Sequence, residues 1–340
     1  MTDDPILAVG PLGRRWQTLD PFLFCVHHHD QYPAGNTLLA PDPALLTGRQ
    51  LGMDFEGHDG WSMYHGDVVP GFPRHPHRGF ETVTLARSGF IDHSDSLGAT
   101  ARFGQGDVQW MTAGAGICHC EMFPLVNQDA PNPTELFQIW LNLPAEDKLV
   151  EPHFTMLWAP TLRRHLLADS DGRAIEVVCV AGSLDGEPAP SPPPNSWASR
   201  AESELAIWTI KMEAGARWSL PTGPSDVHRV LYFFAGETLS INGQPIVGSR
   251  AVQLRADADV VIENTGSAAD MLLLQGRPIG EPVVQHGPFV MNSSDEIEQT
   301  IAQYQRTEFG GWPWASDDPV HPRTMGRFAR HADGREETPA

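Results

Sequence analysis

Apolar positions in this chain fall in short runs rich in β-branched and aromatic residues, cut by turn-formers. Residues 81–87 (ETVTLAR), 99–103 (ATARF) and 136–143 (LFQIWLNL) are such runs. Ser88-Gly89, Gly98, the Gly104–Asp107 stretch and the 142–144 stretch (NLP) punctuate them. Many short strands at this spacing predict an all-β sandwich or barrel rather than a layered α/β fold. The pattern returns in the second half, at 174–180, 204–210, 229–234, 238–241, 259–263 and 270–274. There Asn242-Gly243 stands between two runs, a strong hairpin signal. A second β-barrel of similar size is therefore expected.

Two segments depart from the strand pattern. Residues 292–305 (NSSDEIEQTIAQYQ) carry Ser293 or Ser294 as a cap, acids in the first turn, and a stripe of Ile297, Ile301 and Tyr304, which predicts a short C-terminal helix. Residues 186–199 (GEPAPSPPPNSWAS) are too rich in Pro and Ser for a regular ladder. Strand-like runs on both sides make this an insertion within the second barrel rather than a linker. The expected division is 1–145 for the first barrel, 146–290 for the second, and 291–340 for the helix and an extended tail. That tail, from 315 on, is poor in core residues and is expected to be ordered only where it lies against a barrel.

Composition narrows the function classes. A formal net charge of −20 with no basic run argues against direct nucleic-acid binding and suits basic protein partners better. The 32 glycines and 30 prolines agree with a turn-rich fold. Four cysteines are too few and too unevenly placed for a disulfide framework. No secretory signal opens the sequence and no run reaches the roughly 20 apolar residues of a membrane span, so a cytoplasmic location is expected. A monomer is the expected state.

The candidate chemistry lies in two histidine-bearing strands. His75 and His77 share a face of an extended chain, and so do His119 and Glu121, because side chains alternate with period two. Two strands thus offer paired ligands to one interior point. Three imidazoles and one carboxylate leave two open positions on an octahedral ion, fitting Fe(II) but also Mn, Ni, Cu or Zn. Glu81, four residues after His77 and so expected on its face, is the rival carboxylate. The run His27-His28-His29 cannot converge, since adjacent residues face opposite ways, while His58, His65 and His93 stand alone. His93 is the one of these that could lie behind the ion. Cys118 and Cys120 point away from His119 and are expected to be packed as small apolar groups.

The His-x-His pair with a later histidine resembles the cupin superfamily. The strings HPHRGFETVT (75–84), GDVQWMTAG (106–114), GPFVMN (287–292) and FGGWPW (309–314) resemble the pirin family specifically. The resemblance spans nearly the whole chain. It implies two cupin barrels packed together, with His75, His77, His119 and Glu121 as iron ligands and no metal in the second barrel. Cys25-Val-His-His-His29 and the 186–199 insertion depart from the family pattern. Two functions follow from the resemblance. One is a dioxygenase that opens a quercetin-like flavonol with O2, with Glu121 as general base. The other is a non-enzymatic, iron-dependent sensor or cofactor acting through protein contacts.

Overall fold

The computed structural model describes residues 4–339, which form two compact units of antiparallel sheet. The first unit comprises residues 4–26, 139–142 and 161–280; the second comprises 27–138, 143–160 and 281–339. Both are built mainly of strands, and among the described residues there is one α-helix, Ser294–Thr307, near the C-terminus. Among the described residues no helix is long and apolar enough to cross a membrane.

In the second unit the sheet that carries the histidines runs Glu336–Glu337, Phe328–Arg330, Thr100–Gly104, Phe90–Asp95, Ile117–Met122, Gly71–His77. Facing it is a sheet containing His153–Leu157, Val108–Thr112, Phe80–Ser88 and Asn132–Asn142. Inward residues of both meet in one core: Ile91, Phe103 and Ile117 from one sheet, Ala86, Met111, Leu136 and Phe154 from the other. Alternation sends every second side chain into that core.

The first unit repeats the scheme. Seven strands run Ile6–Pro11, Arg250–Arg255, His228–Ala235, Ala269–Gly276, Ala206–Met212, Ala174–Ala181, Arg163–Ala168, and a four-stranded sheet completes the core around Leu231, Phe233, Leu239, Ile262 and Met271. Thr238–Ile241 pairs with Gln244–Val247 across Asn242 and Gly243, both at positive φ (49° and 84°), the hairpin that the dipeptide predicts. The Pro-rich segment connects Ala174–Ala181 to Ala206–Met212, neighbours in the sheet. Its one departure from expectation is a two-residue ladder, Ser183–Leu184 with Glu187–Pro188. Buried Trp197 anchors the rest through its indole N–H to the Arg277 carbonyl (3.0 Å).

The contiguous division at 145 and 290 differs from these units at both ends. Ile6–Pro11 pairs with Arg250–Arg255, so the N-terminal strand belongs with the later barrel. The tail belongs with the earlier one, where Phe328–Arg330 pairs with Thr100–Arg102. Edge strands find their partners by tertiary pairing, which periodicity does not report. The tail is tightly held. Arg102, fully buried, forms a two-pronged ion pair with Asp92 (2.6 Å on each arm) and donates to the carbonyls of His321, Pro322 and Met325.

The helix begins at N-cap Ser293, whose hydroxyl accepts from the Glu296 N–H, while the Glu296 carboxylate accepts from the Asn292 N–H. Ile297, Ile301 and Tyr304 pack on Phe289, Met291 and Phe309.

Candidate metal centre

Gly71–His77 and Ile117–Met122 pair antiparallel with His75 opposite His119, which puts two imidazoles side by side across one ladder, their planes inclined at 57°. His77 is two residues along on the same face. The three ring centroids lie 4.4 Å (His75–His119), 4.8 Å (His75–His77) and 4.9 Å (His77–His119) apart. One ligand atom from each lies within 4.8 Å of the others, the sole such group of three metal-binding side chains among the described residues.

The electrostatics suit a cation. Burial pushes His75 down to about 4 and holds His77 and His119 well below the usual imidazole range, so all three are neutral at pH 7 with lone pairs available. His75 donates its Nδ1–H to the Pro73 carbonyl (2.8 Å), which fixes the tautomer and leaves Nε2 as a donor atom for an ion. His119 is fully buried, and neither ring nitrogen has a hydrogen-bond partner. A buried polar group left in that state costs about 1–3 kcal/mol. A bound ion would satisfy one of the two nitrogens, so the residues present fit a metal.

Glu121 lies beside this cluster, its Oε2 3.9 Å from His119 Nε2. Thr84 donates to Oε1 (3.1 Å) and Gln138 to Oε2 (2.6 Å), so the carboxylate is aimed by two side chains from the facing sheet. Burial raises its pKa, opposed by nearby His93 and by these two donors. Sequence reasoning missed Thr84 and Gln138. The signal available was a polar residue inside an otherwise apolar strand, as with Gln138 inside LFQIWL.

Glu81 does not share the face of His77. The strand ends at His77 and a new one starts at Phe80, reversed through Gly79 at φ +82°. Any Cβ at Gly79 would lie 2.0 Å from the Val290 carbonyl, so only glycine fits the turn. Glu81 then faces opposite to Thr84 and accepts from the Thr112 hydroxyl at 2.7 Å. Period-two reasoning carried across a reversal loses its meaning.

The other histidines fall as alternation dictates. His27 meets Glu135 (2.9 Å), His28 is buried among Tyr64, Phe72 and Phe123, and His29 is exposed. His93 lies opposite Glu121 in the ladder, fully buried, with its ring 5.4 Å from His119 and its Nε2 3.3 Å from Asp95. All four cysteines are free and buried. Cys120 packs with Ala40, Val69 and Met122, and Cys118 reaches the Glu308 carbonyl, both away from the imidazoles.

Comparison with known proteins gives a consistent result. The family model described as Pirin matches residues 10–141, and that described as the Pirin C-terminal cupin domain matches residues 207–310. A Pseudomonas aeruginosa protein provisionally named a quercetin 2,3-dioxygenase is 36% identical over 242 residues, 70% of this chain and 79% of that one. Human pirin is 32% identical over 252 residues, covering 73% and 80%. The crystal structure of a quercetin 2,3-dioxygenase from Acinetobacter baumannii superposes with a TM-score of 0.70 over 90% of this chain and 98% of that one. At 24% identity that likeness speaks for the fold.

Proposed function

The chain belongs to the pirin family, and on that footing we propose that it is a metal-dependent dioxygenase whose ion is held by His75, His77, His119 and Glu121. The substrate class is a planar hydroxylated aromatic of the flavonol kind, opened with uptake of O2 and release of carbon monoxide. The name of the 36% identical Pseudomonas relative supports the substrate class. The observation that carries the metal is His119, buried with two unpartnered nitrogens among two further neutral imidazoles.

Three nitrogen donors and a carboxylate accept Fe(II), Mn, Ni, Cu or Zn, and Fe(II) is the ion proposed because it combines that ligand preference with ready reaction toward O2. When bound, the ion supplies Lewis acidity toward a substrate hydroxyl and a redox partner for O2. The protein supplies the rest. His77 and His119, both buried, give the inner side of the site a low dielectric, in which charge interactions are stronger than in water. When released from the ligand set, Glu121 takes the hydroxyl proton as general base, its oxygens otherwise held by hydrogen bonds from Thr84 and Gln138.

Anaerobic purification with elemental analysis, followed by a quercetin and O2 assay, tests the reading. Near-stoichiometric iron and turnover in the wild type are expected, with both lost in His119→Ala. Glu121→Gln is expected to retain metal and lose at least about a hundredfold in kcat, the usual range for a general base. Bound metal without turnover would transfer the assignment to a non-enzymatic, metal-dependent sensor, and absence of metal would overturn both.

A further inference from the structure

Between Tyr32 and Gly71 the chain makes a long excursion with no regular strand, only two short 3-10 turns at Pro43–Leu46 and His58–Gly60. It is nonetheless firmly built. Arg49 donates to the Asp54 carboxylate (2.9 Å), the Trp61 carbonyl (3.0 Å) and the His58 carbonyl (2.6 Å), with its guanidinium 3.4 Å from the Trp61 ring centre. Beneath it, buried Asp30 accepts from the Ser62 N–H (2.9 Å) and the Tyr64 hydroxyl (2.7 Å). Tyr64 itself is held at φ +58°, a left-handed conformation that a bulky residue adopts only when its surroundings impose it.

This excursion brings Phe55, Tyr64 and His65 against Phe72, a residue of the histidine-bearing strand Gly71–His77 itself. Phe72 stands 6.3 Å from His75, the one imidazole of the three that is partly open to solvent. His65 lies 5.7 Å from Phe72, Phe55 lies 6.5 Å from Phe72, and Phe55 and His65 are 5.0 Å apart. Tyr64 and Phe123 support these rings from below and are buried, whereas Phe55 and Phe72 are half-buried and His65 is exposed. The result is a rigid aromatic patch continuous with the open side of the imidazoles. His65 donates its Nδ1–H to the Gly52 carbonyl (2.7 Å), so the outer nitrogen, Nε2, carries the lone pair.

We propose that Phe55, Phe72 and His65 form a recognition subsite for the planar, hydroxylated ring system of the substrate. Phe72 and Phe55 contact its ring faces and edges, and His65 Nε2 accepts a hydrogen bond from a ring hydroxyl other than the one at the metal. The subsite selects extended hydroxyaromatics over small chelators that offer the same oxygen donors. This rests on the reading of the imidazole cluster as a metal site, and the three residues act in binding and specificity, outside the ligand set.

Quercetin binding to anaerobic, iron-loaded protein, followed by quenching of tryptophan fluorescence, tests it, with acetohydroxamate as a small non-aromatic chelator. Phe72→Leu, which keeps apolar volume, and Phe55→Leu are expected to weaken quercetin about tenfold each. Acetohydroxamate binding and iron content should stay at wild-type values. His65→Ala, at an exposed position, is expected to weaken quercetin about fivefold while leaving 3-hydroxyflavone, which lacks the other ring hydroxyls, unaffected. Unchanged quercetin affinity in the Phe variants, or equal losses for acetohydroxamate, would overturn the subsite. Ring-dependent quercetin binding without turnover would sustain the subsite while removing the dioxygenase reaction.

Discussion

Asp30 shows what one buried carboxyl contributes. Burial raises its pKa from 3.8 to about 6, against the lowering effect of hydrogen bonds from Tyr64 and Ser62, with Asp54 and Arg49 also facing it. The folded state therefore holds a proton that the unfolded chain has released. That stabilisation is complete below pH 3.8 and is lost as pH rises through about 6. Two pKa units correspond to roughly 3 kcal/mol. Urea titrations across pH 3.5–7 should show Asp30→Asn gaining on the wild type by up to that amount as pH rises through this window. A parallel pair of profiles would mean that Asp30 does not titrate there. At the same scale, Thr84→Val removes one of the two donors to Glu121 and leaves the imidazoles in place. It is expected to lower kcat several-fold while iron content holds, measured by elemental analysis beside the quercetin assay. Equal loss of iron would give Thr84 a part in assembling the site rather than in aiming the carboxylate.

Among the elements, the extended tail depends on Arg102. Its guanidinium is fully buried and its donors are spent on Asp92 and on three tail carbonyls. Arg102→Met leaves the Asp92 carboxylate buried without its cation, a change that costs about 3–5 kcal/mol. Thermal denaturation should register that loss, and limited proteolysis should cut first between residues 315 and 330. Replacing both partners with leucine should recover part of the stability, since no buried charge then remains. Short-range pattern made much of this level legible: the Asn242-Gly243 hairpin, the Ser293 cap and the strands beside each turn follow from a few neighbouring residues. The same local period put His75 with His77 and His119 with Glu121 on shared faces. It did not survive the reversal at Gly79, which is why Glu81 was read onto the wrong face. Nor could it reveal Thr84 and Gln138, whose meeting with Glu121 spans 37 and 17 residues of chain and depends on two facing sheets.

For the whole molecule, the order of residues and the order of packing part company. The strand Ile6–Pro11 covers the Arg250–Arg255 edge, and Phe328–Arg330 pairs with Thr100–Arg102. Deleting residues 1–11 is expected to bare that edge and to produce concentration-dependent aggregation, visible by light scattering. A truncated protein that stays monodisperse at the wild-type melting temperature would show that the edge needs no cover. A gene cut at 145/146 yields two fragments, each lacking a terminal segment that its own unit contains.

These distant terminal pairings also bear on how the protein emerges from the ribosome. Chains are made from the N-terminus at about 5–20 residues per second, and domains usually close as they appear. Here the earliest strand must wait for Arg250–Arg255, and the histidine-bearing sheet gains its last strands only with residues 328–337. Neither unit can close early in synthesis, so the nascent chain carries exposed strand edges through most of its translation. Holding factors at the tunnel exit would matter more for this protein than for one whose two barrels were contiguous in sequence.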